Sequence, residues 1–124
     1  MPTIQMATDD DVARFYGGIQ FNTRWVAKSM RKGRLVAGMG GLLEVEPGLW
    51  IGFLEVPEGE RRPSIYRHVI EMLAAAKEAG AVKIKTWCDH SIPRAEAMMV
   101  KLGFSPTDET IDDKVVWAWV HSQG

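Results

Sequence analysis

Two connections in this chain are too short for the backbone to do anything but reverse. Arg31-Lys32-Gly33-Arg34 separates the runs Arg24 to Met30 and Leu35 to Val45, and Glu46-Pro47-Gly48 separates the second of these from Leu49 to Val56. A parallel crossover needs about a dozen residues or more, so tight glycine-bearing turns force three successive strands into an antiparallel meander. The rest of the chain has to be laid against that meander.

Ahead of it, Thr3 to Ala7 reads as a short strand. Thr8 then offers an N-cap with Asp11 three residues on, and Val12, Phe15 and Tyr16 share one helical face until Gly17-Gly18. After the meander, Ser64 reads as the cap of a helix with Ile65, Val69, Met72, Leu73 and Ala76 at helical spacing, and Gly80 sits where a C-terminal cap belongs. Val82 to Cys88 has the two-residue period of a strand. Pro93 sits in the first turn of a second helix with the stripe Ala95, Met98, Met99 and Leu102, stopped by Gly103, and Phe104 and Lys114 to Val120 supply a last hairpin around Thr110 to Asp113. The expected order is strand, helix, three strands, helix, strand, helix, two strands.

The 124 residues suit one core, and 15 Lys and Arg against 16 Asp and Glu leave a net charge of −1. Such a balance carries no broad cationic field, so a sequence-independent grip on nucleic acid is not expected. A lone Cys88 closes no intramolecular disulfide and suits a reducing, cytoplasmic setting. The start Met1-Pro2-Thr3-Ile4-Gln5 lacks a basic region followed by an apolar core, and the weakly polar stretch Leu35 to Leu43 is too short to cross a bilayer, so neither leader nor membrane span is expected. The three histidines are scattered, and the acidic run Asp9 to Asp11 reads as a helix N-terminus, so no metal site is expected. The five tryptophans read as core or dimer packing, although Trp87 faces away from the aliphatic side of its strand, where a second layer or a partner would cover it. His68 and His121 read as exposed.

Two stretches carry more than pattern. Leu54-Glu55-Val56-Pro57-Glu58 is followed by Arg61-Arg62-Pro63-Ser64-Ile65-Tyr66 at the opening of the long helix, and Ala95 runs to the closing Lys101-Leu102-Gly103-Phe104. A helix start leaves backbone N–H groups unbonded and concentrates positive partial charge, so an arginine-rich strand-loop-helix junction suits a diphosphate. Together with the element order, these stretches resemble the GCN5-related N-acetyltransferase (GNAT) superfamily over nearly the whole chain. The resemblance implies an α+β fold with a mixed, mostly antiparallel central sheet and helices on both faces, as one GNAT-like domain over residues 1–124. It also implies acetyl-CoA as cosubstrate and an amine as acceptor, with direct transfer of the acetyl group between them.

The family's pyrophosphate loop runs Arg or Gln, two residues, Gly, one residue, Gly or Ala. Here Arg61 matches and Ile65 fits, but Ser64 and Tyr66 replace the small residues and Pro63 removes a donor. A tyrosine there either blocks the ligand or offers its hydroxyl to a phosphate. The resemblance thus places Arg61, Arg62, Ser64, Ile65 and Tyr66 around the diphosphate and the backbone of Val56 at the thioester carbonyl, where the fourth and fifth strands part. The family's usual acid, a tyrosine four residues before the Gly-Phe pair, is Met99 here, and an asparagine often found near that helix's start is Ile92. Glu55 and His90 are the titratable candidates for the base. So short a first helix builds little acceptor wall, leaving specificity to a dimer mate or an open groove. The alternative implied by the eroded loop is a non-catalytic protein of the same fold, in the manner of bacteriophage virion-associated or regulatory proteins.

Overall fold

The computed structural model describes residues 3–57, 64–87 and 94–121. Its elements run β1 (Thr3–Met6), α1 (Asp9–Phe15), β2 (Trp25–Lys32), β3 (Leu35–Glu46), β4 (Leu49–Glu55), α2 (Ser64–Glu78), β5 (Lys83–Trp87), α3 (Ala95–Lys101), β6 (Ser105–Ile111) and β7 (Lys114–Val120). The order is the expected one. The seven strands form one sheet in the order β1-β2-β3-β4-β5-β7-β6.

Within the sheet, β2 to β4 pair antiparallel in succession, as the short turns require, and β1 adds antiparallel to the edge of β2. β5, β7 and β6 form a second antiparallel set, with β7 between the other two. The two sets meet along one parallel seam, β4 against β5. Helices cover both faces. Leu42, Trp50, Ile84 and Trp117 turn to α2 and α3, where they pack with Met72, Leu73, Ala76 and Met99. Val12 of α1 packs on the other face against Ala27, Val36 and Met39. Val36 and Met39 share that face at odd spacing because a register shift between β2 and β3 inserts an extra residue.

Thr8 caps α1 as its sequence suggests. Its hydroxyl accepts from the Asp11 N–H at 3.2 Å, and its own N–H donates to Asp11 Oδ2 at 3.1 Å. Asp11 is fully buried, and its carboxylate also accepts from Ser29 Oγ at 2.9 Å and from the Arg31 guanidinium, pinning α1 to β2. Burial alone would push this carboxyl up. The hydrogen bonds from the Thr8 backbone, Arg31 and Ser29 outweigh that and hold it below the usual value.

The two later helices end alike. Gly80 has φ +103°, its N–H donates to Lys77 O at 3.1 Å, and the Ala81 N–H reaches back to Ala76 O at 3.1 Å. Gly103 has φ +90°, its N–H donates to Val100 O, and the Phe104 N–H reaches Met99 O, both at 3.0 Å. Each is a Schellman closure with a left-handed glycine and an apolar contact behind it. The Lys-Leu-Gly-Phe signature is therefore a helix stop with Phe104 folded onto Met99 in the core. Ser64 is already helical rather than the cap, whereas the last hairpin turns at Asp112-Asp113, within the expected stretch, where φ values of +50° and +65° mark a tight two-residue reversal. His68 is half-buried rather than exposed, with Lys28 Nζ donating to its Nδ1 at 2.8 Å.

Gly80→Ala should cost about 1 kcal/mol in urea denaturation, since no atom crowds the site and only the left-handed backbone resists the methyl. Because the Asp11 pKa is depressed on folding, its contribution is complete above the unfolded value of 3.8 and is lost as the pH falls through the folded value. Asp11→Asn should therefore lower stability by about 3 kcal/mol near neutrality and flatten the acid limb of the stability profile relative to the parent.

Candidate functional site

The seam between the two halves of the sheet is short. Leu49, Trp50 and Ile51 pair with Lys83, Ile84 and Lys85, and there the ladder stops, although β4 continues to Glu55 and β5 to Trp87. The closed end is fastened by Gly48 O, which accepts from the Val82 N–H at 2.8 Å and the Lys83 N–H at 3.1 Å. One step past the last pair, the Thr86 hydroxyl donates to Gly52 O at 3.1 Å. Parallel pairing thus ends at residue 51, five residues before the Val56 position expected from sequence.

The direction of the backbone beyond that point follows from alternation. Gly48 and Gly52 both turn their carbonyls to β5, so Leu54, the next even-numbered residue of β4, turns its main-chain polar groups to the same edge. A linear, amide-bearing arm fits such an edge as a strand would. At the same end, α2 begins at Ser64, which is exposed. Among the described residues, the first turn of α1 holds Asp9, Asp10 and Asp11, whereas that of α2 holds no acidic residue. The described residues at this end thus suit a linear, amide-bearing ligand with an anionic terminus.

The structure divides the sequence candidates between two faces. Val56 and Ile65 come together on the α2 face around a cavity of about 30 Å³, which Leu54, His68 and Met72 also line. Tyr66 is half-buried on α2, seven residues before Leu73 and so on the same helical stripe. Glu55 stands on the opposite face, exposed at the end of β4, two residues beyond Phe53. Arg61, Arg62 and His90 lie outside the described residues. Met99 is buried between α3 and the sheet.

Sequence reasoning left Tyr16 unassigned. It sits at the C-terminal cap of α1, with its phenol close enough to the Glu55 carboxylate to feel its charge. Burial, and then the charge and hydrogen bond of Glu55, push the phenol well above its ordinary value. The signal for this meeting is weak in sequence, because 39 residues and three strands separate the partners. Among the described residues, no three His, Cys, Asp or Glu side chains are grouped to hold a metal ion, and no helix is long and apolar enough to cross a membrane.

The chain has the fold of the GCN5-related N-acetyltransferases. A Bacillus subtilis acetyltransferase in complex with CoA matches with a TM-score of 0.61 and 18% identity, over 98% of this chain and 100% of its own. The ribosomal-protein-S18-alanine N-acetyltransferase from Escherichia coli matches with a TM-score of 0.67 and 16% identity, over 100% and 96%. A GNAT family acetyltransferase from Elizabethkingia anophelis with acetyl-CoA bound gives 0.62 and 11%, over 97% and 98%. No family model matches the chain, and no curated protein matches it.

Because the Glu55 charge helps hold the Tyr16 phenol up, Glu55→Gln should bring its pKa down toward the ordinary value of about 10. A difference absorbance titration against Tyr16→Phe isolates that phenol. An unchanged midpoint would mean the two side chains do not meet in solution.

Proposed function

We propose that residues 1–124 act as one acyltransferase domain that moves the acetyl group of acetyl-CoA to a primary amine. The observation that carries this reading is the early end of the β4–β5 pairing, with α2 beginning at the same end of the sheet. Acetyl-CoA supplies a thioester whose acyl carbon is open to attack and whose thiolate is a tolerable leaving group.

The chain's own groups take the remaining tasks. The main chain of Leu54 faces the opening and holds an amide-bearing arm in register, and the backbone at Val56 is assigned to the carbonyl oxygen, where negative charge grows, on the family resemblance alone. The first turn of α2, with Ser64, Ile65 and Tyr66, receives the diphosphate; Arg61 and Arg62 join it on sequence grounds. Glu55 takes one proton from the acceptor's ammonium. The nitrogen then forms its bond to the acyl carbon as the carbon–sulfur bond breaks and the electron pair leaves with sulfur. The second amine proton reaches the departing sulfur through water, since Met99 offers no acid. His90 is the reserve base, again on sequence grounds.

Calorimetric titration with acetyl-CoA tests the reading directly, and no heat at millimolar ligand would overturn it in favour of a non-catalytic use of the fold. If binding is found, Glu55→Gln should lower kcat by about a hundredfold while leaving the affinity for acetyl-CoA unchanged. Tyr66→Gly should tighten acetyl-CoA binding if the ring obstructs the diphosphate, and should weaken it if the hydroxyl holds a phosphate oxygen.

A further inference from the structure

A second cavity lies at the other end of α2, beside the closed end of the sheet. Its volume is about 490 Å³, against about 30 Å³ for the one at Val56, which puts it within the range of small-molecule sites. One wall is α2, where Ala75 and Ala79, one turn apart, carry nothing beyond a methyl group. The other is the chain entering β2, from Thr23 to Val26, and Trp50 of β4 lies at the bottom. The first turn of α2, where Ser64 begins the helix, is at the opposite end, so this cleft is separate from the site proposed for acetyl-CoA.

The polar groups around the cleft set what it can take. Arg24 reaches across to α2, where its Nη1 donates to Ala79 O at 2.7 Å, and its Nε and Nη2 donate to the Glu44 carboxylate at 3.0 and 2.6 Å. The same guanidinium lies 5.6 Å from the centre of the Trp50 ring. The Thr23 hydroxyl donates to Glu44 O at 2.6 Å. Arg24 and Thr23 are thus engaged within the protein, and the one charge among the lining residues is matched by Glu44. Trp50 differs. It is buried, and its indole N–H has no hydrogen-bond partner among the described residues. Trp117 shares that condition without lining the cleft. A buried donor left unmade has given up its bond to water, so an acceptor that reaches it gains more than one added at the surface.

We infer that this cleft binds a small neutral molecule with a carbonyl on an apolar body, the body lying against Val26, Ala75 and Ala79 and the carbonyl oxygen accepting from Trp50 Nε1. Neutrality follows from the Arg24–Glu44 pair. An ion entering here finds both charges already satisfied, and it loses its hydration against methyl groups with no counter-charge in exchange. A carbonyl loses far less water and supplies the acceptor that the indole lacks. The inference does not depend on acyl transfer.

The test is titration of the full chain with cyclohexanone, cyclohexylammonium and cyclohexanecarboxylate, three probes that share a ring and differ in the polar group, followed by the assigned tryptophan indole N–H signals in NMR. Cyclohexanone should shift the Trp50 indole proton downfield in a saturable way, leave the equally buried Trp117 unmoved, and bind about tenfold tighter than either ion. No saturable shift at Trp50 with tens of millimolar ketone overturns the inference. So does an ion that binds as tightly as the ketone, or an equal shift at Trp117. These results are read on the parent protein and stand whatever a variant does to folding. Ala75→Leu, which puts a side chain into the cleft, should weaken cyclohexanone binding by about tenfold. Unchanged affinity in a folded Ala75→Leu protein would put the ketone elsewhere and overturn the assignment as well.

Discussion

Three residue pairs join the two halves of this sheet. On one side the strands β1 to β4 pair antiparallel, and on the other β5, β7 and β6 do the same, so the parallel contact of residues 49–51 with residues 83–85 is where the halves meet within the sheet. That contact is held at one end by the Gly48 carbonyl and closed at the other by the Thr86 hydroxyl. Because β4 stays paired to β3 as far as Glu55 while its pairing to β5 has already ended, one edge of the strand is held and the other is offered. The helices brace the joint from above. Met72, Leu73 and Ala76 of α2 pack on Leu42 and Trp50 of one half and on Ile84 and Trp117 of the other, and each large apolar group so buried is worth about 2 kcal/mol.

The helix ends show how local chemistry is matched to tertiary position. α1 has a neutralised N-terminus, and its capping aspartate doubles as the buried anchor for Ser29 and Arg31. Among the described residues the first turn of α2 holds no acidic side chain, while its C-terminal end is tied down by Arg24, which donates to Ala79 O at 2.7 Å, holds Glu44 through two nitrogens and lies over the Trp50 ring. The C-terminal end of α2 is thus fixed to the sheet by a cation, which also complements the negative end of its dipole.

Much of this was legible in the residues, because the relevant interactions are short in sequence. The Thr8–Asp11 box, the turns at Gly33 and Gly48, and the glycine stops at Gly80 and Gly103 each involve partners within about one helical turn, and each was read at its position. What escaped reading depends on distance along the chain. The half-buried setting of His68 comes from Lys28, 40 residues earlier, and the Tyr16–Glu55 meeting needs the whole meander in place. The point at which the ladder stops was misplaced by several residues because nothing in the alternation of β4 changes there; only the path of its neighbour does. For the candidate site, the assignment of Leu54 to one face and Glu55 to the other follows from strand parity, which a sequence carries, whereas the meeting of Val56 with Ile65 needs α2 folded back over the sheet.

The opening in the sheet is defined by where backbone pairing ends, and hardly at all by side-chain identity. Main chain is common to every residue type, so substitutions along β4 and β5 can accumulate without erasing the gap, provided that the parity of buried positions is kept. This accounts physically for shape surviving at 11–18% identity to the acetyltransferases it resembles. Architecture of this kind drifts like handwriting: the letters change while the margin stays where it was ruled.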